Sequence, residues 1–402
     1  MAGIQIARSE KANRKFWLVL SIIANVGILA YYKYFNFLLE SFGALIHIKF
    51  PDYQLPFLEI LLPIGLSFHT FQAMSYTIEV YRGNQPPEKN FMIYALYVMF
   101  YPQLVAGPIE RPQNVLPQFH KLKQYDWDNI KEGLTRMMWG FFKKVVIADR
   151  LALCVDYVFD NTGSVSWVSL VVGAMLYSFQ IYCDFSGYSD IGIGAAKVMG
   201  FKLMENFNQP YTAHNISNFW SRWHISLSTW FRDYVYIPLG GNRKGELRRR
   251  VNVFIVFLLS GLWHGANWTF VLWGALHGFL VMLLPGRKSS EKNRLKWVTF
   301  ALINFVFVTL LWIFFRSPDI ATAFDYILSI FKLQEGITRF GLNGIELMFS
   351  FLLIFILLFK EGLVKTYKIR KNSSFVFYMV FMVAVCYYFG IFEENQFIYF
   401  QF

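Results

Sequence analysis

Two histidines of this 402-residue chain lie in sequence that is typical of a membrane interior, where an ionisable side chain has a cost. His264 stands between Trp263 and Gly265 in a hydrophobic stretch, and His224 lies upstream among tryptophans and arginines. Ionisable groups at membrane depth are commonly functional, and a neutral imidazole can act as general base for a hydroxyl. We therefore predict a catalytic role for His264. From composition alone, His224 is equally well explained as an interfacial side chain.

Other catalytic chemistries have less support in the sequence. His264 has no Asp or Glu close to it along the chain, so we predict no metal site. Ser228, Thr229 and Ser260 lack a visible acid partner, which argues against a serine-type nucleophile. General base catalysis by histidine is therefore the chemistry that this stretch favours.

Five further polar residues near membrane depth have structural interpretations. His69 and His277 are expected to form hydrogen bonds between packed helices. Glu79, Asp184 and Asp190 are expected to pair with a neighbouring Lys or Arg, because an unpaired charge inside a membrane is costly.

The elements that position these residues follow from composition. Of the 402 residues, 55% are hydrophobic and only 16% are charged, whereas soluble domains carry about 25% charged residues. Apolar runs repeatedly reach about 17 to 25 residues, enough for a helix to cross a hydrocarbon core of roughly 30 Å. We predict an all-α, polytopic integral membrane protein with about nine transmembrane helices, in a range of about seven to eleven, plus re-entrant or interfacial helices.

The distribution of charge predicts an orientation. The net charge is +12, but the basic residues cluster between apolar runs, so we predict a lipid bilayer and no nucleic acid as partner. Segments 243–250, 287–296 and 360–371 carry five Lys or Arg residues each, and the weakly charged loop 316–343 carries three. The positive-inside rule places the three dense clusters in the cytoplasm and the C-terminus outside.

Local patterns predict the helices around the two histidines. A kinked helix is expected where Pro63 and Gly65 interrupt 55–81, and the Gly- and Ser-rich stretch 184–201 is expected to lie against protein. The aromatic and basic segment 214–236 is expected to form an interfacial amphipathic helix. The other predicted elements are spans at 16–35, 91–105, 167–182, 297–315, 344–359 and 374–391, an amphipathic helix at 127–160 and a hairpin at 251–285.

Four stretches of the chain together resemble a known family. They are RWHISLSTWFRDYVYIPLGGNRKG (222–245), SGLWHGANWTFVLWGALHG (260–278), LPIGLSFHTFQAMSYTIEVYRG (62–83) and FYPQLVAGPIERP (100–112). With them the chain resembles the membrane-bound O-acyltransferase family, and within it the bacterial branch of the alginate O-acetyltransferase membrane subunit. The similarity extends over nearly the whole chain.

The resemblance implies one domain over 1–402 with helices around a tunnel. An acyl thioester, acetyl-CoA or a phosphopantetheine carrier, would enter as a substrate from the cytoplasm, with no bound cofactor, and a hydroxyl acceptor would enter from outside. The family's catalytic histidine falls on His264, and its second motif histidine falls on His224. The donor's cytoplasmic mouth would then be lined by Trp220, Arg222, Trp223, Arg232, Asp233, Arg243 and Lys244.

The C-terminal sequence FIYFQF (397–402) resembles the F-x-Y-F-x-F ending of related acyl-export systems. That resemblance implies that Tyr399 accepts the acyl group after His264 removes its phenol proton. A phenol with a pKa of about 10 needs such a base at neutral pH. An aromatic tail anchored at the membrane interface explains the same sequence equally well.

The resemblance implies O-acetylation of an extracellular or cell-wall polysaccharide such as alginate, in a bacterial inner membrane, with an SGNH/hydrolase-like acyltransferase as partner outside. D-alanyl transfer to teichoic acid is one alternative. A transporter or flippase is another, and it would show inverted repeats, which the sequence does not display. Members of this branch usually carry about two more N-terminal helices, so we expect residues 1–402 to lack them.

Overall fold

The computed structural model describes residues 1–50, 57–58, 63, 65–104, 107–284, 294–363 and 367–392. Regular structure in these residues is helical, with one isolated parallel bridge between Val165 and Ile337. The all-α class predicted from composition is therefore confirmed.

Eighteen α-helices follow one another along the described residues. The first nine are α1 (Ala2–Arg8), α2 (Lys11–Leu29), α3 (Phe35–Lys49), α4 (Leu66–Arg82), α5 (Phe91–Val98), α6 (Tyr101–Leu104), α7 (Pro112–Phe119), α8 (Trp127–Phe141) and α9 (Asp149–Asp160). The others are α10 (Trp167–Val198), α11 (Ile216–Trp220), α12 (Ile225–Phe231), α13 (Glu246–His264), α14 (Trp268–Leu283), α15 (Arg294–Arg316), α16 (Ile320–Phe331), α17 (Gly344–Leu363) and α18 (Asn372–Phe389). Three π-helical turns lie at Ala30–Tyr34, Phe142–Ala148 and Arg232–Tyr236.

Four helical segments of the described chain are long and apolar enough to cross a bilayer. Shorter apolar helices, α14 and α16, lie beside them. This agrees with the polytopic membrane class, while the expected number of about nine spans stays a prediction. The four segments are Asn13–Gly43, Trp167–Val198, Leu295–Arg316 and Asn372–Phe389.

The N-terminal helix is longer than the sequence predicted. α2, the π turn Ala30–Tyr34 and α3 follow one another without a break, well past the expected end at residue 35. α4 then begins directly after Gly65, which has a φ of 74° and lies in the stretch where a kink was expected. Within that expected helix, 55–56, 59–62 and 64 lie outside the described residues. α2 packs against α4, so the N-terminal segment is part of the helical assembly.

Two long helical segments form the centre. α8, the π turn Phe142–Ala148 and α9 are continuous, as predicted for 127–160, and they pack along α10. α10 continues past the expected end at residue 182, and its Gly- and Ser-rich second half is buried against protein, as predicted. The loop expected at 316–343 contains α16, which buries Ala323 and Tyr326.

Segment 214–236 differs from the interfacial helix that the sequence favoured. It forms α11, α12 and a π turn, and the break falls at His224. Trp220, Trp223 and Trp230 are 8%, 1% and 3% exposed. They are buried because neighbouring helices supply aromatic partners: Trp273 of α14 for Trp220, Trp312 of α15 for Trp223 and Phe71 of α4 for Trp230.

α13 and α14 form the predicted hairpin, which carries His264 at the last residue of α13. The two helices meet at Gly261 and Gly274. A Cβ atom on Gly274 would lie 2.4 Å from the carbonyl oxygen of Phe257 and 3.0 Å from the Cα of Gly261. Glycine permits this close approach, and the approach fixes where α13 ends relative to α14.

Candidate active site

His264 lies in an aromatic enclosure at the end of α13. The residue is 4% exposed. Its ring centroid lies 5.1 Å from that of Trp263, 5.2 Å from that of Trp273 and 5.4 Å from that of Phe315. Because Trp273 belongs to α14 and Phe315 to α15, three helices enclose the imidazole. Such an enclosure excludes bulk water from a basic group.

His224 faces His264 from a different part of the chain. The two imidazole centroids are 6.5 Å apart, and His224 is fully buried. Its φ of 43° places the backbone in the left-handed region. A residue other than glycine rarely adopts that conformation, and such residues concentrate at functional sites. The fold therefore brings together the two histidines that the motifs singled out.

Asn206 holds His224 in one orientation. The amide oxygen of Asn206 accepts hydrogen bonds from the backbone N–H of Ser226 at 3.3 Å and from its hydroxyl at 2.8 Å. These two donors fix which end of the amide is the oxygen. Nδ1 of His224 lies 3.1 Å from the same oxygen. Because an amide oxygen accepts and cannot donate, Nδ1 carries the proton and Nε2 is the basic nitrogen.

Asn206 was not among the residues predicted for the site. The residue lies in the loop between α10 and α11, outside the four stretches that carry the family resemblance. Its backbone carbonyl also accepts a hydrogen bond from Ile225 N–H at 2.9 Å, directly beside the left-handed His224. No local pattern indicates this contact, because it joins two irregular segments across the fold.

A polar cavity of about 680 Å³ lies beside His224. Asn206, which holds His224, and Ile225, which follows it, both line this cavity. The wall contains four cations and four carboxylates, which suits a charged, polar ligand rather than a hydrocarbon chain. The charged lining residues are Glu132, Arg136, Lys143, Asp190, Glu205, Arg222, Lys360 and Glu361.

Asp190 is the centre of an ion-pair network in the cavity wall. Its carboxylate lies 2.7 Å from Arg136 Nε and 2.7 Å from Lys143 Nζ. Arg136 also pairs with Glu205. The expectation that the carboxylates at membrane depth pair with Lys or Arg is confirmed. It also holds for Asp184 with Lys144 at 2.7 Å and for Glu79 with Arg82 at 3.0 Å.

Lys360 is held differently from the other cations of the cavity. Its ammonium lies 4.1 Å from the ring centroid of Trp139 and 4.4 Å from that of Tyr367. These cation–π contacts fix the position of the ammonium and leave its charge in place. In the described part of the chain, Lys360 therefore has aromatic partners at contact distance. It offers a positive charge to an anionic ligand in the cavity.

The two tryptophans of the predicted mouth are buried instead. Trp220 donates a hydrogen bond from its indole N–H to Nδ1 of His277 at 3.2 Å, which confirms the predicted packing role of His277. Trp220 also lines an apolar cavity of about 370 Å³ with Phe257. Trp223 lies between Tyr182, which lines the polar cavity, and Trp312. The two indoles thus form walls inside the protein.

The charged residues of the predicted mouth are spread over several places. Arg222 lines the polar cavity. Arg232 is exposed and pairs with Asp233 at 2.8 Å, and Asp233 lies in a separate depression of about 550 Å³. Arg243 and Lys244 are exposed. Of the five charged residues predicted for the mouth, Arg222 is the one that lines the cavity beside His224. The other cations of this cavity belong to α8, α17 and the π turn Phe142–Ala148.

Tyr399 lies outside the described residues, so its role as acyl acceptor stays a prediction. Among the described residues, no group of three or more His, Cys, Asp or Glu side chains is arranged to hold a metal ion.

Known proteins similar to this chain belong to one family. The sequence model described as "MBOAT, membrane-bound O-acyltransferase family" matches residues 85–317. That range contains both His224 and His264, and also Asn206 and Arg222. It ends before α17, which contributes Lys360, and begins after α2 and α4.

Curated relatives are similar over most of the chain. "Probable alginate O-acetylase AlgI" of Pseudomonas aeruginosa is 42% identical over 346 residues, which cover 84% of this chain and 63% of the relative. The protein of the same name from Azotobacter vinelandii is 41% identical over 92% of this chain and 72% of its own length. "Peptidoglycan O-acetyltransferase" of Helicobacter pylori is 40% identical over 84% of this chain and 67% of its own length. The chain thus spans about two thirds of the length of the curated relatives it matches.

Proposed function

The chain belongs to the membrane-bound O-acyltransferase family, as its motifs predicted, and we propose that it transfers an acetyl group from a thioester donor to a hydroxyl. The family match and the apolar helices together identify it as a multi-pass membrane protein. The acceptor that we propose is an extracellular or cell-wall polysaccharide. Relatives named for O-acetylation of alginate and of peptidoglycan are 40% to 42% identical to this chain. "Teichoic acid D-alanyltransferase" of Bacillus subtilis is 28% identical, which favours acetyl over D-alanyl as the transferred group.

The observation that carries this proposal is the proximity of His224 and His264, with ring centroids 6.5 Å apart. The pair is enclosed by aromatic side chains and lies beside a charged cavity. Acyl transfer needs a base in a water-poor site and a separate place for the polar part of the donor. The arrangement of these residues supplies both requirements.

The donor's phosphate-bearing part binds in the polar cavity. Lys360 and Arg222 provide positive charge for the phosphates of acetyl-CoA or of a phosphopantetheine arm. Lys360, which lines the cavity, is the first basic residue of the cluster 360–371. The positive-inside rule assigns this cluster to the cytoplasm. A donor from the cytoplasm would therefore enter at this end, with its thioester directed towards His224 and His264.

His264 acts as the general base. It removes the proton from the acceptor hydroxyl, and the oxygen attacks the carbonyl carbon of the thioester. The tetrahedral intermediate collapses with cleavage of the C–S bond, and the leaving thiolate takes the proton from the His264 imidazolium. His224, held in one tautomer by Asn206, offers Nε2 as a fixed hydrogen-bond acceptor in the same enclosure.

The hydroxyl that reaches His264 belongs either to Tyr399 or to a sugar. We propose the tyrosine as a carrier, because a phenol at the C-terminus would take the acetyl group to the outer face, as the charge distribution orients the chain. An SGNH/hydrolase-like acyltransferase would then complete transfer to the polysaccharide. Residence in a bacterial inner membrane follows from the same proposal.

Purified protein in proteoliposomes tests the reaction class and the acyl group. Acetyl-CoA, an acetylated phosphopantetheine carrier and a D-alanylated carrier are supplied in parallel, and release of free thiol is measured. We expect acetyl thioesters to be cleaved faster than the D-alanyl thioester. The reverse order would establish the D-alanyl alternative. Movement of a labelled substrate across the membrane without any thiol release would establish a transporter instead.

Intact-mass spectrometry of the same samples tests the carrier. The wild-type chain is expected to gain one acetyl adduct, and Tyr399→Phe is expected to lose it. Tyr387→Phe, at an exposed position of α18, is the matched control and should keep the adduct. An adduct that persists in Tyr399→Phe would assign the acetyl group to another residue.

A further inference from the structure

Two residues of the N-terminal helical segment contact the end of the helix that carries His264. The ammonium of Lys33 donates hydrogen bonds to the carbonyl oxygens of Trp263 and His264, at 2.9 Å each. The hydroxyl of Tyr34 donates to the carbonyl oxygen of Leu262 at 2.8 Å. Two consecutive side chains thus bind three consecutive carbonyls of α13, although donors and acceptors are separated by more than half of the sequence.

Those three carbonyls need partners from outside their own helix. The last four carbonyl groups of an α-helix have no intrahelical donor. α13 ends at His264, and Gly265 continues in an extended conformation. At membrane depth an unsatisfied carbonyl is costly, because no water is at hand to bind it. A cation at a helix C-terminus is also favoured by the helix dipole. Lys33 meets both needs.

The local backbone around Lys33 is specialised for this contact. Lys33 and Tyr34 lie in the π turn Ala30–Tyr34, which interrupts the α-helical segment at the level of the active site. π turns within α-helices occur frequently at functional sites. Neighbouring Tyr31, on the same turn, is 50% exposed and contacts Tyr32 and Phe35 of its own segment. The π turn therefore presents two of its side chains to the catalytic helix.

We propose that Lys33 and Tyr34 are positioning residues that hold the imidazole of His264 in its catalytic position. This inference rests on the proposed function, in which His264 is the base. A base that is displaced by about 1 Å loses roughly 10²-fold in rate, so the end of α13 has to be fixed. The family match begins at residue 85 and assigns no role to either residue.

The test compares Lys33→Met, Lys33→Arg and Tyr34→Phe in full-length protein in proteoliposomes, with acetyl thioester as donor. Lys33→Met keeps the length of the side chain and removes the charge and the donors. We expect its kcat to fall by about 10²-fold while KM for the donor stays within about twofold, because the donor cavity lies elsewhere. Lys33→Arg should recover most of kcat. Tyr34→Phe should lower kcat less than Lys33→Met.

Tyr31→Phe is the matched control, since it removes a hydroxyl from the same π turn at an exposed position. Its kcat should equal that of the wild type. A structural anchor without a positioning role would give Lys33→Met a normal kcat per folded molecule and a lower yield, and that result would overturn the inference. The inference would also be overturned if the kcat of Lys33→Arg did not exceed that of Lys33→Met.

Hydrogen exchange keeps the inference testable if Lys33→Met is recovered in small amounts. The amides of residues 262–268 should exchange faster in Lys33→Met than in Tyr31→Phe, and unchanged exchange would contradict the inference. The His264→Ala variant separates the two proposals. If it retains activity, the proposed function fails. If it is inactive while Lys33→Met is fully active, the positioning role alone fails.

Discussion

The imidazole rings of His224 and His264 lie with their centroids 6.5 Å apart, although His224 precedes the short helix α12 and His264 ends the long helix α13. His224 is fixed by the loop that contains Asn206, and His264 is fixed by the α13–α14 hairpin. The site therefore depends on contacts between segments that are distant in sequence.

Replacement of Asn206 tests the role of the fixed tautomer of His224. Asn206→Leu removes the oxygen that binds Nδ1 of His224 and both donors of Ser226. We expect kcat for thioester cleavage to fall by at least about 10²-fold, as when a histidine loses the group that sets its tautomer. Asn129→Leu, at a partly exposed site in the first turn of α8, is the control. Equal kcat values for the two variants would show that the Asn206 contact is dispensable.

Replacement of Lys360 tests the donor site. Lys360→Met removes the cation that Trp139 and Tyr367 hold in the cavity. Loss of a charge-assisted contact worth about 1.5–3 kcal/mol should raise KM for the donor by roughly 10- to 100-fold. Lys368→Met, exposed in the same basic cluster, should leave KM near the wild-type value. An unchanged KM in Lys360→Met would place the donor's phosphates elsewhere.

The glycine contact of the hairpin predicts a packing defect. Gly274→Ala places a methyl group 2.4 Å from the carbonyl oxygen of Phe257, so α13 and α14 must separate. Overpacking of this kind lowers the free energy of unfolding by about 1–3 kcal/mol and should also displace His264. Gly27→Ala, where nothing lies within 4 Å of the added methyl group, is the control. Thermal unfolding in detergent measures both, and equal midpoints would contradict the predicted strain.

The ion-pair network of the cavity predicts a stability loss. Asp190→Asn leaves Arg136 and Lys143 without the carboxylate that each contacts at 2.7 Å. Removal of one member of a buried ion pair costs about 3–5 kcal/mol in the free energy of unfolding. Asp128→Asn breaks a pair with Lys131 in which the carboxylate is exposed, and it should change stability much less. Similar thermal midpoints for the two variants would show that solvent already screens Asp190.

Much of this fold is encoded in local patterns. The long apolar helices, the α13–α14 hairpin and the burial of the Gly- and Ser-rich half of α10 were predictable, because membrane depth restricts backbone and charge so strongly. The pairing of Asp190 with basic residues was predictable for the same reason, although its partners were not. The burial of His264 was predictable because its neighbours along the chain are apolar.

The rest of the site depends on tertiary contacts that have no local signature. Segment 214–236 has the composition of an interfacial helix, but buried aromatic partners on three other helices draw its tryptophans inside. Lys33, which contacts the His264 carbonyl, lies in an apolar stretch, and Lys360, which lines the polar cavity, begins a basic stretch. The local pattern of each stretch indicates a membrane boundary. Their roles follow from which helices lie side by side, and a single sequence does not contain that information.

The rate of acetyl thioester cleavage by His264→Ala in proteoliposomes tests the central claim most directly. The donor cavity does not include His264, so binding of the donor should be preserved and can be checked in the same sample. His120→Ala, at an exposed histidine that pairs with Glu88, is the control and should cleave at the wild-type rate. We expect His264→Ala to cleave the thioester no faster than protein-free liposomes. Cleavage by His264→Ala at the wild-type rate would contradict it.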